Sequence, residues 1–597
     1  MKRIKYLFSF AFVLMLMVTF ALSVSAATAT PEKSFYYSIN NKSVVIDGCK
    51  TLKIEKLVIP ETISGYPVVE IADDAFRDCT YLKDITLPKT LRKIGSYAFD
   101  GMFDAVRISD LQAWLKIDFV DGKANPMYRT KNIYLGDSLL EDIVIPEGVT
   151  EIKNYAFIGG DSIKSIRLPS SLKRIGQQAI RGNVYVDSVD AWVNLIANSQ
   201  CDFTVYIGNN TNLYINGELL VDLVIPESVT ELPYGAFMFF DSIESVSFHK
   251  KFIKADQRAF TFSNNLKNVY VPDLETWLRL SADICLLNNF DTIYIDNEPV
   301  VNLVIPDNID KMPSRAFYNY EKLESVSFSN PKLVFDMNWA SGCTNLKSMY
   351  VDSYDTWMSR DFDQYGDSIL KNIECLYIDG EPVIDYVISE GETRISDYAF
   401  YGYKGIKSIT LPAGIEYIGV GAFSKSGLEN VYVDSLEVWF DICRKNATLN
   451  DYFGTTGIPL GCAKNFSIGG EPPVDLVIPE TITDIPDLAF WNVKSLRSVT
   501  LHKGITNVSS NAFLDCTNLR EICVPDFSTW SKICKVTEST KLETIYIDNK
   551  PVVNFVVPEG TEKLPAMCFK NYDKLESITI GSGLKEIGSN CLFYGYL

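Results

Sequence analysis

The sequence predicts a repeat solenoid: a ladder of short β-strands with small helices and hairpins set between the coils. Three observations predict it. A strand signal, closed by proline in all but one copy, recurs at 57–60, 143–146, 223–226, 303–306, 386–389, 476–479 and 555–558, in steps of 86, 80, 80, 83, 90 and 79 residues. In every copy two sites of the Ala-Phe type lie 23 residues apart, from Phe76 and Phe99 in the first copy to Phe569 and Leu592 in the seventh. A tryptophan marks each of the six complete copies, at Trp114, Trp192, Trp277, Trp357, Trp439 and Trp530. Self-similarity at a long fixed period means stacked supersecondary units, because one unit cannot bury its own apolar side.

The elements follow in chain order. Lys2, Arg3 and Lys5 precede an apolar run over 7–22, and Val24, Ser25 and Ala26 form a small-residue cleavage site. This reads as an export signal over 1–26, with Ala27 beginning the mature chain. An uncleaved anchor is the rival reading, since 16 residues is near the lower limit for spanning. No later stretch is long and apolar enough to cross a bilayer, and the C-terminus shows no sorting signal. Residues 27–56 predict a β-hairpin cap turning at Asp47-Gly48, and 57–597 hold the solenoid: six copies and a seventh cut short at Tyr594-Gly595-Tyr596-Leu597.

Residues 82–99 show the unit. Leu82, Ile85 and Leu87 place apolar side chains on one face of a strand, and Pro88 ends it. Ile94-Gly95 marks a second inward point with a tight turn, and Ala98-Phe99 sends an aromatic wedge inward. Fixed spacing means that insertions fall elsewhere, as with the five extra residues 64–68 of the first copy, placed on the outer side. The third element of each copy repeats the strand and then starts a helix, as in Asp273-Leu274-Glu275-Thr276-Trp277, where aspartate caps and tryptophan pins the helix to the sheet. The fourth element centres on dipeptides such as Asn216-Gly217, Asp379-Gly380 and Gly469-Gly470, which suit a hairpin or a tight solenoid turn.

These residues resemble the BspA-like leucine-rich repeat proteins of the Treponema-pallidum type. The likeness rests on Gly65-Tyr66-Pro67-Val68 with Ile71 and Ala75-Phe76, on Ile94-Gly95 with Ala98-Phe99, and on Asp515-Cys516-Thr517-Asn518-Leu519. It implies a leucine-rich repeat solenoid, elongated and curved. It also implies a secreted or cell-surface protein that serves adhesion or host interaction by binding extracellular proteins or glycans.

Composition narrows the function classes. Net charge is −19 with no basic cluster, which disfavours nucleic acid and anionic membranes as partners, and no membrane insertion is expected after signal cleavage. The only histidines, His249 and His502, stand three copies apart where other copies carry Pro88, Pro169 or Pro412. A histidine-paired metal site or a Ser-His-Asp arrangement is thereby excluded, and no nucleotide-binding or hydrolase motif appears. The expectation is no enzyme, no metal and no cofactor. The 13 cysteines are an odd number; Cys79, Cys343 and Cys516 share one repeat column, while Cys568 and Cys591 replace the alanine of Ala-Phe. These are small-residue slots and read as buried free thiols, with disulfides as the alternative for an exported chain.

The remaining signal lies on outward strand positions. The first strand offers valine from Val58 to Val556, and the second mostly Ser or Thr. The third strand offers Tyr185, Tyr270, Tyr350 and Tyr432, and the hairpin Tyr134, Tyr214, Tyr294, Tyr377 and Tyr546. Strand propensity and cross-strand stacking explain such columns; a recurrent ligand surface is the sharper reading, because tyrosine is favoured in binding faces. Two functions stay open: a binding module, or a structural rod that spaces or coats the cell.

Overall fold

The computed structural model describes residues 28–99, 101, 103–130, 132–199, 211–256, 258–283, 290–336, 338–360, 370, 372–446, 457–538 and 542–592. The export signal and the final Tyr594-Gly595-Tyr596-Leu597 therefore lie outside the described residues. The chain resolves into two compact units, 1–299 and 300–597. The first holds the cap and copies one to three, the second copies four to seven.

In the first unit the cap is a hairpin of Phe35–Asn40 and Ser43–Cys49. Its turn sits at Asn41 and Lys42, both with positive φ, and not at Asp47-Gly48. Those two residues lie inside the second strand, where the register shifts opposite Tyr36 and Tyr37, so the Asp-Gly pair forms a bulge. A side chain at Gly48 would sit 3.2 Å from the Ala75 carbonyl, so glycine there permits a close backbone approach. The five-residue insertion is also not confined to the outside. Thr62–Ile63 and Tyr66–Ile71 pair as a hairpin, and Tyr66–Ile71 runs between the cap strand and Lys93–Ile94. Val68 is fully buried, so the insertion stitches the cap to the first coils.

Each complete copy forms its own sheet. In the second copy Asp142–Val144, Ser165–Arg167, Asn183–Val186 and Leu213–Ile215 are parallel neighbours, and Glu218–Leu219 returns antiparallel to the last. The third copy repeats this with Asp222–Val224, Ser245–Ser247, Asn268–Val271, Thr292–Ile295 and Glu298–Pro299. In the second unit the fourth and sixth copies are also five-stranded. The fifth has four strands and an isolated bridge from Ile468 to Glu471. The fourth element is thus both the last parallel strand and half of a hairpin. Asn216-Gly217, Asp379-Gly380 and Gly469-Gly470 all have positive φ, as a type I′ turn requires. No described strand joins one copy's sheet to the next.

The inward residues do what the pattern predicts. Phe76 stacks on Phe99, Phe237 on Phe260, Phe400 on Phe423 and Phe490 on Phe513, with centroids 5.3–5.5 Å apart. A backbone ladder runs beside the rings: Phe76, Phe237, Phe400 and Phe490 donate to the carbonyls of Ala98, Ala259, Ala422 and Ala512. The glycine after isoleucine has a different role from the predicted turn. At Gly95, Gly176 and Gly419 an added Cβ would lie 2.2–2.5 Å from the backbone nitrogen of Asp73, Asn154 or Asp397. Glycine there lets one coil lie against the previous one. The left-handed residue comes just before Ala, at Tyr97, Tyr155 and Tyr398.

The helices start as predicted. Asp110, Ser188, Ser353 and Asp526 accept from the backbone N–H three residues on. Trp114, Trp192, Trp439 and Trp530 are buried, and their indole N–H groups donate to the carbonyls of Ala156, Ala236, Ala489 and Cys568 in the next copy. The tryptophan therefore does more than pin a helix. It carries the Ala-Phe hydrogen-bond ladder across a gap that the main sheet does not span.

All the described cysteines are free, and Cys201 and Cys285 lie outside the described residues. Cys343 and Cys516 donate their thiols at 2.8 Å to the carbonyls of Phe317 and Phe490, as the Ser263 hydroxyl does to Phe237. The thiol thus fills a serine-like donor role in the coil. Among the described residues no helix is long and apolar enough to cross a membrane.

Candidate ligand-binding surface

The outward columns come together as rows. Parallel registers align Val144, Arg167, Tyr185 and Tyr214 in one sheet. They align Val224, Ser247, Tyr270 and Tyr294 in the next. In the fourth copy the row is Val304, Ser327, Tyr350 and Tyr377. In the fifth it is Val387, Thr410, Tyr432 and Ser467, so Tyr432 has no aromatic neighbour in its row. In the sixth copy Tyr546 follows Cys523, and in the first Tyr134 follows Arg107.

The rings meet face to face. Tyr185 and Tyr214 stack at 4.3 Å, Tyr270 and Tyr294 at 4.4 Å, and Tyr350 and Tyr377 at 4.6 Å. Arginine covers the open face where it directly precedes a tyrosine in the row: Arg167 lies 4.9 Å over Tyr185, and Arg107 4.5 Å over Tyr134. On the other side Tyr294, Tyr377 and Tyr546 face Pro299, Pro382 and Pro551 of the return strand. Ring faces are therefore largely spent within the sheet, and the row offers solvent its ring edges, hydroxyls and valines. Burial and the neighbouring Tyr214 and Tyr294 hydroxyls raise the pKa of Tyr185 and Tyr270 above the usual tyrosine value. Val224 and Val304 are 63% and 70% exposed. Val58 departs from its column at only 9% exposed, because Thr30 lies along its strand.

A second, polar row was not among the expected columns. Ser165, Ser245, Ser325, Ser408, Ser498 and Ser577 each donate to Asp142, Asp222, Asn302, Asp385, Asp475 or Asn554. The signal was present, since each serine follows its Asp or Asn by 23 residues. The histidines are structural: Nε2 of His249 and of His502 donates at 2.9 Å to the carbonyls of Val229 and Ile482. Among the described residues no group of three His, Cys, Asp or Glu side chains could hold a metal ion.

A family model for the BspA type leucine rich repeat region matches residues 48–117, 130–204, 204–282, 293–374, 372–442, 474–552 and 546–596. The chain belongs to the BspA-type leucine-rich repeat family. No curated protein matches it in sequence. Among solved structures it is similar to a leucine-rich repeat protein from Bacteroides ovatus, at 18% identity over 82% of this chain and 93% of that one, with a TM-score of 0.26. A leucine rich cell surface protein from Faecalibacterium prausnitzii is 15% identical over 94% and 96% of the two chains, with a TM-score of 0.20. The T. pallidum leucine rich repeat protein is 24% identical over 41% and 85%, with a TM-score of 0.16. Membership rests on the family match and not on these weak superpositions. The BspA-type chain is thus a leucine-rich repeat scaffold made of parallel strand ladders with short helices.

Proposed function

We propose that this BspA-type chain works outside the cell, secreted or at its surface, as a binding module for an extracellular protein or glycan in adhesion or host interaction. The observation that carries this reading is the recurrence of one outward row, valine, a hydroxyl or arginine residue, and paired tyrosines, in register on successive sheets. Such a row combines apolar contact with neutral hydroxyl donors on a rigid strand platform. The chemistry it offers is recognition. The stacking of Tyr270 on Tyr294 and Tyr350 on Tyr377 also favours a second reading, a spacer rod whose tyrosines serve only the sheet.

Arrays of matrix proteins and glycans probed with residues 27–597 separate the two. The binding module retains a defined ligand at micromolar or better affinity, and replacing Tyr270, Tyr350 and Tyr432 together by Ser abolishes it while the melting profile stays. Unchanged affinity in that variant sinks the tyrosine surface. Silence across the arrays, with self-association, supports the rod.

A further inference from the structure

The break between sheets leaves the first strand of each copy as an edge. In the second copy Ile145 donates to Arg167, and Lys164 and Ser165 donate to the Glu141 carbonyl. Residues 141 and 145 therefore turn toward the second strand, and the alternation of a strand turns the N–H and C=O of Asp142 and Val144 the other way. The third, fifth, sixth and seventh copies repeat this: Ile225, Ile388, Ile478 and Val557 donate to Ser247, Thr410, Thr500 and Thr579. The outer edges at Val224, Val387, Val477 and Val556 thus match that at Val144. No described strand pairs with any of them.

The first copy shows what such an edge accepts. Ile59 donates to Thr86 on the inner side, so the outer side of Val58 is the equivalent edge. There the extended segment ahead of the cap is seated: Thr30 N–H donates to the Val58 carbonyl at 2.9 Å, and Val58 N–H donates to Thr30 Oγ1 at 3.0 Å. Covering by that segment is why Val58 is buried while Val387 and Val477 are 65% and 67% exposed. The open edges also carry a charge signature. Asp142, Asp222 and Asp385 stand two residues before the valine, on the same outward face, whereas Asp475 at the fourth such position already pairs with Arg497.

We propose that the open first-strand edges bind extended segments of a partner protein by strand addition, the segment pairing with the Asp-x-Val backbone and placing a basic residue beside the aspartate. This rests on the binding-module reading and narrows its ligand from protein or glycan to an extended polypeptide. One short edge supplies few hydrogen bonds, so a single site is weak. Several copies raise affinity by engaging one partner at several points.

The test uses the mature chain and a surface carrying the peptide acetyl-Lys-Val-Thr-Val-Lys-Val-Thr-Val-amide, compared with the same peptide N-methylated at alternate residues. The fourfold variant Val144→Pro, Val224→Pro, Val387→Pro, Val477→Pro deletes the outer-edge donors and spares the ladder, which uses the neighbouring residues, while also removing the exposed valine side chains. The expected result is retention on the first peptide that is at least about tenfold weaker both on the N-methylated surface and for the fourfold variant. Peptide binding should also slow amide exchange at the four valines. No retention, or equal retention on both peptides, overturns the proposal, and the peptide comparison holds even if the variant misfolds. A matrix or glycan ligand lost in the tyrosine variant but kept in the proline variant leaves the binding module standing and removes strand addition. Self-association abolished by the prolines names a second copy as the occupant and equally overturns a separate partner.

Discussion

Replacing Trp192 with phenylalanine tests whether the indole carries the coupling between copies. The indole nitrogen lies 2.7 Å from the Ala236 carbonyl, and both residues are fully buried. Phenylalanine leaves that carbonyl without its donor, which costs about 1–3 kcal/mol in a buried site. The smaller ring also leaves about 40 Å³ unfilled, or about 1 kcal/mol at the usual cavity coefficient. The expected loss is about 2–4 kcal/mol, concentrated at the junction of the second and third copies. Urea unfolding gives the total, and amide exchange gives its location. The Phe237 amide, which donates to Ala259, and its neighbours should lose protection before the rest of the unit. A loss below about 0.5 kcal/mol, typical of neutral surface changes, or protection lost evenly over the unit, refutes the coupling role.

Two further outcomes follow from the packing. Gly176→Ala places a methyl group 2.4 Å from the Asn154 backbone nitrogen, and should cost about 2–4 kcal/mol in chemical unfolding, whereas Gly217→Ala, in an open turn with positive φ, should cost about 1 kcal/mol; equal costs would remove the close-approach account. Burial pushes the thiols of Cys343 and Cys516 up from 9.0 to about 12. The unfolded chain then releases these protons first, so their contribution to stability is full below pH 9 and is lost as pH rises toward 12. Melting temperature should hold from pH 7 to 8.5 and fall by pH 10.5, less steeply in the Cys343→Ser, Cys516→Ser double variant; a rise over that range contradicts the burial of these thiols.

Much of the fold was legible because stacking imposes constant length. The spacing of Phe76 from Phe99, kept in all seven copies, located the coils, and the dipeptides at Asn216 and Asp379 located the hairpins. Asp47-Gly48 is a good turn dipeptide and points to the wrong place for the cap turn, because a turn at Asn41-Lys42 pairs the longer apolar strands and leaves Gly48 against Ala75. Insertions in a repeat ordinarily fall on outer loops, but Val68 is buried and supplies a strand neighbour for the cap. The sheet breaks were not legible. A valine such as Val224 suits an edge strand and a central one equally, and only the register shows that its outer side is unpaired. The tyrosine columns were found residue by residue, whereas their face-to-face stacking depends on the in-register alignment of two strands 24–29 residues apart.

Because each sheet closes within its own copy, the copy of about 80–90 residues is the natural unit of duplication, although it still needs a neighbour to bury its apolar ends. It brings one tryptophan that reaches forward and one Ala-Phe carbonyl that receives the tryptophan behind it. Adding or deleting a whole copy therefore joins a matching donor and acceptor without rebuilding any sheet. Recombination inside a copy would instead split a ladder whose strands share one register. Chain length in this architecture can thus vary by whole modules over evolutionary time, and the number of presented rows varies with it.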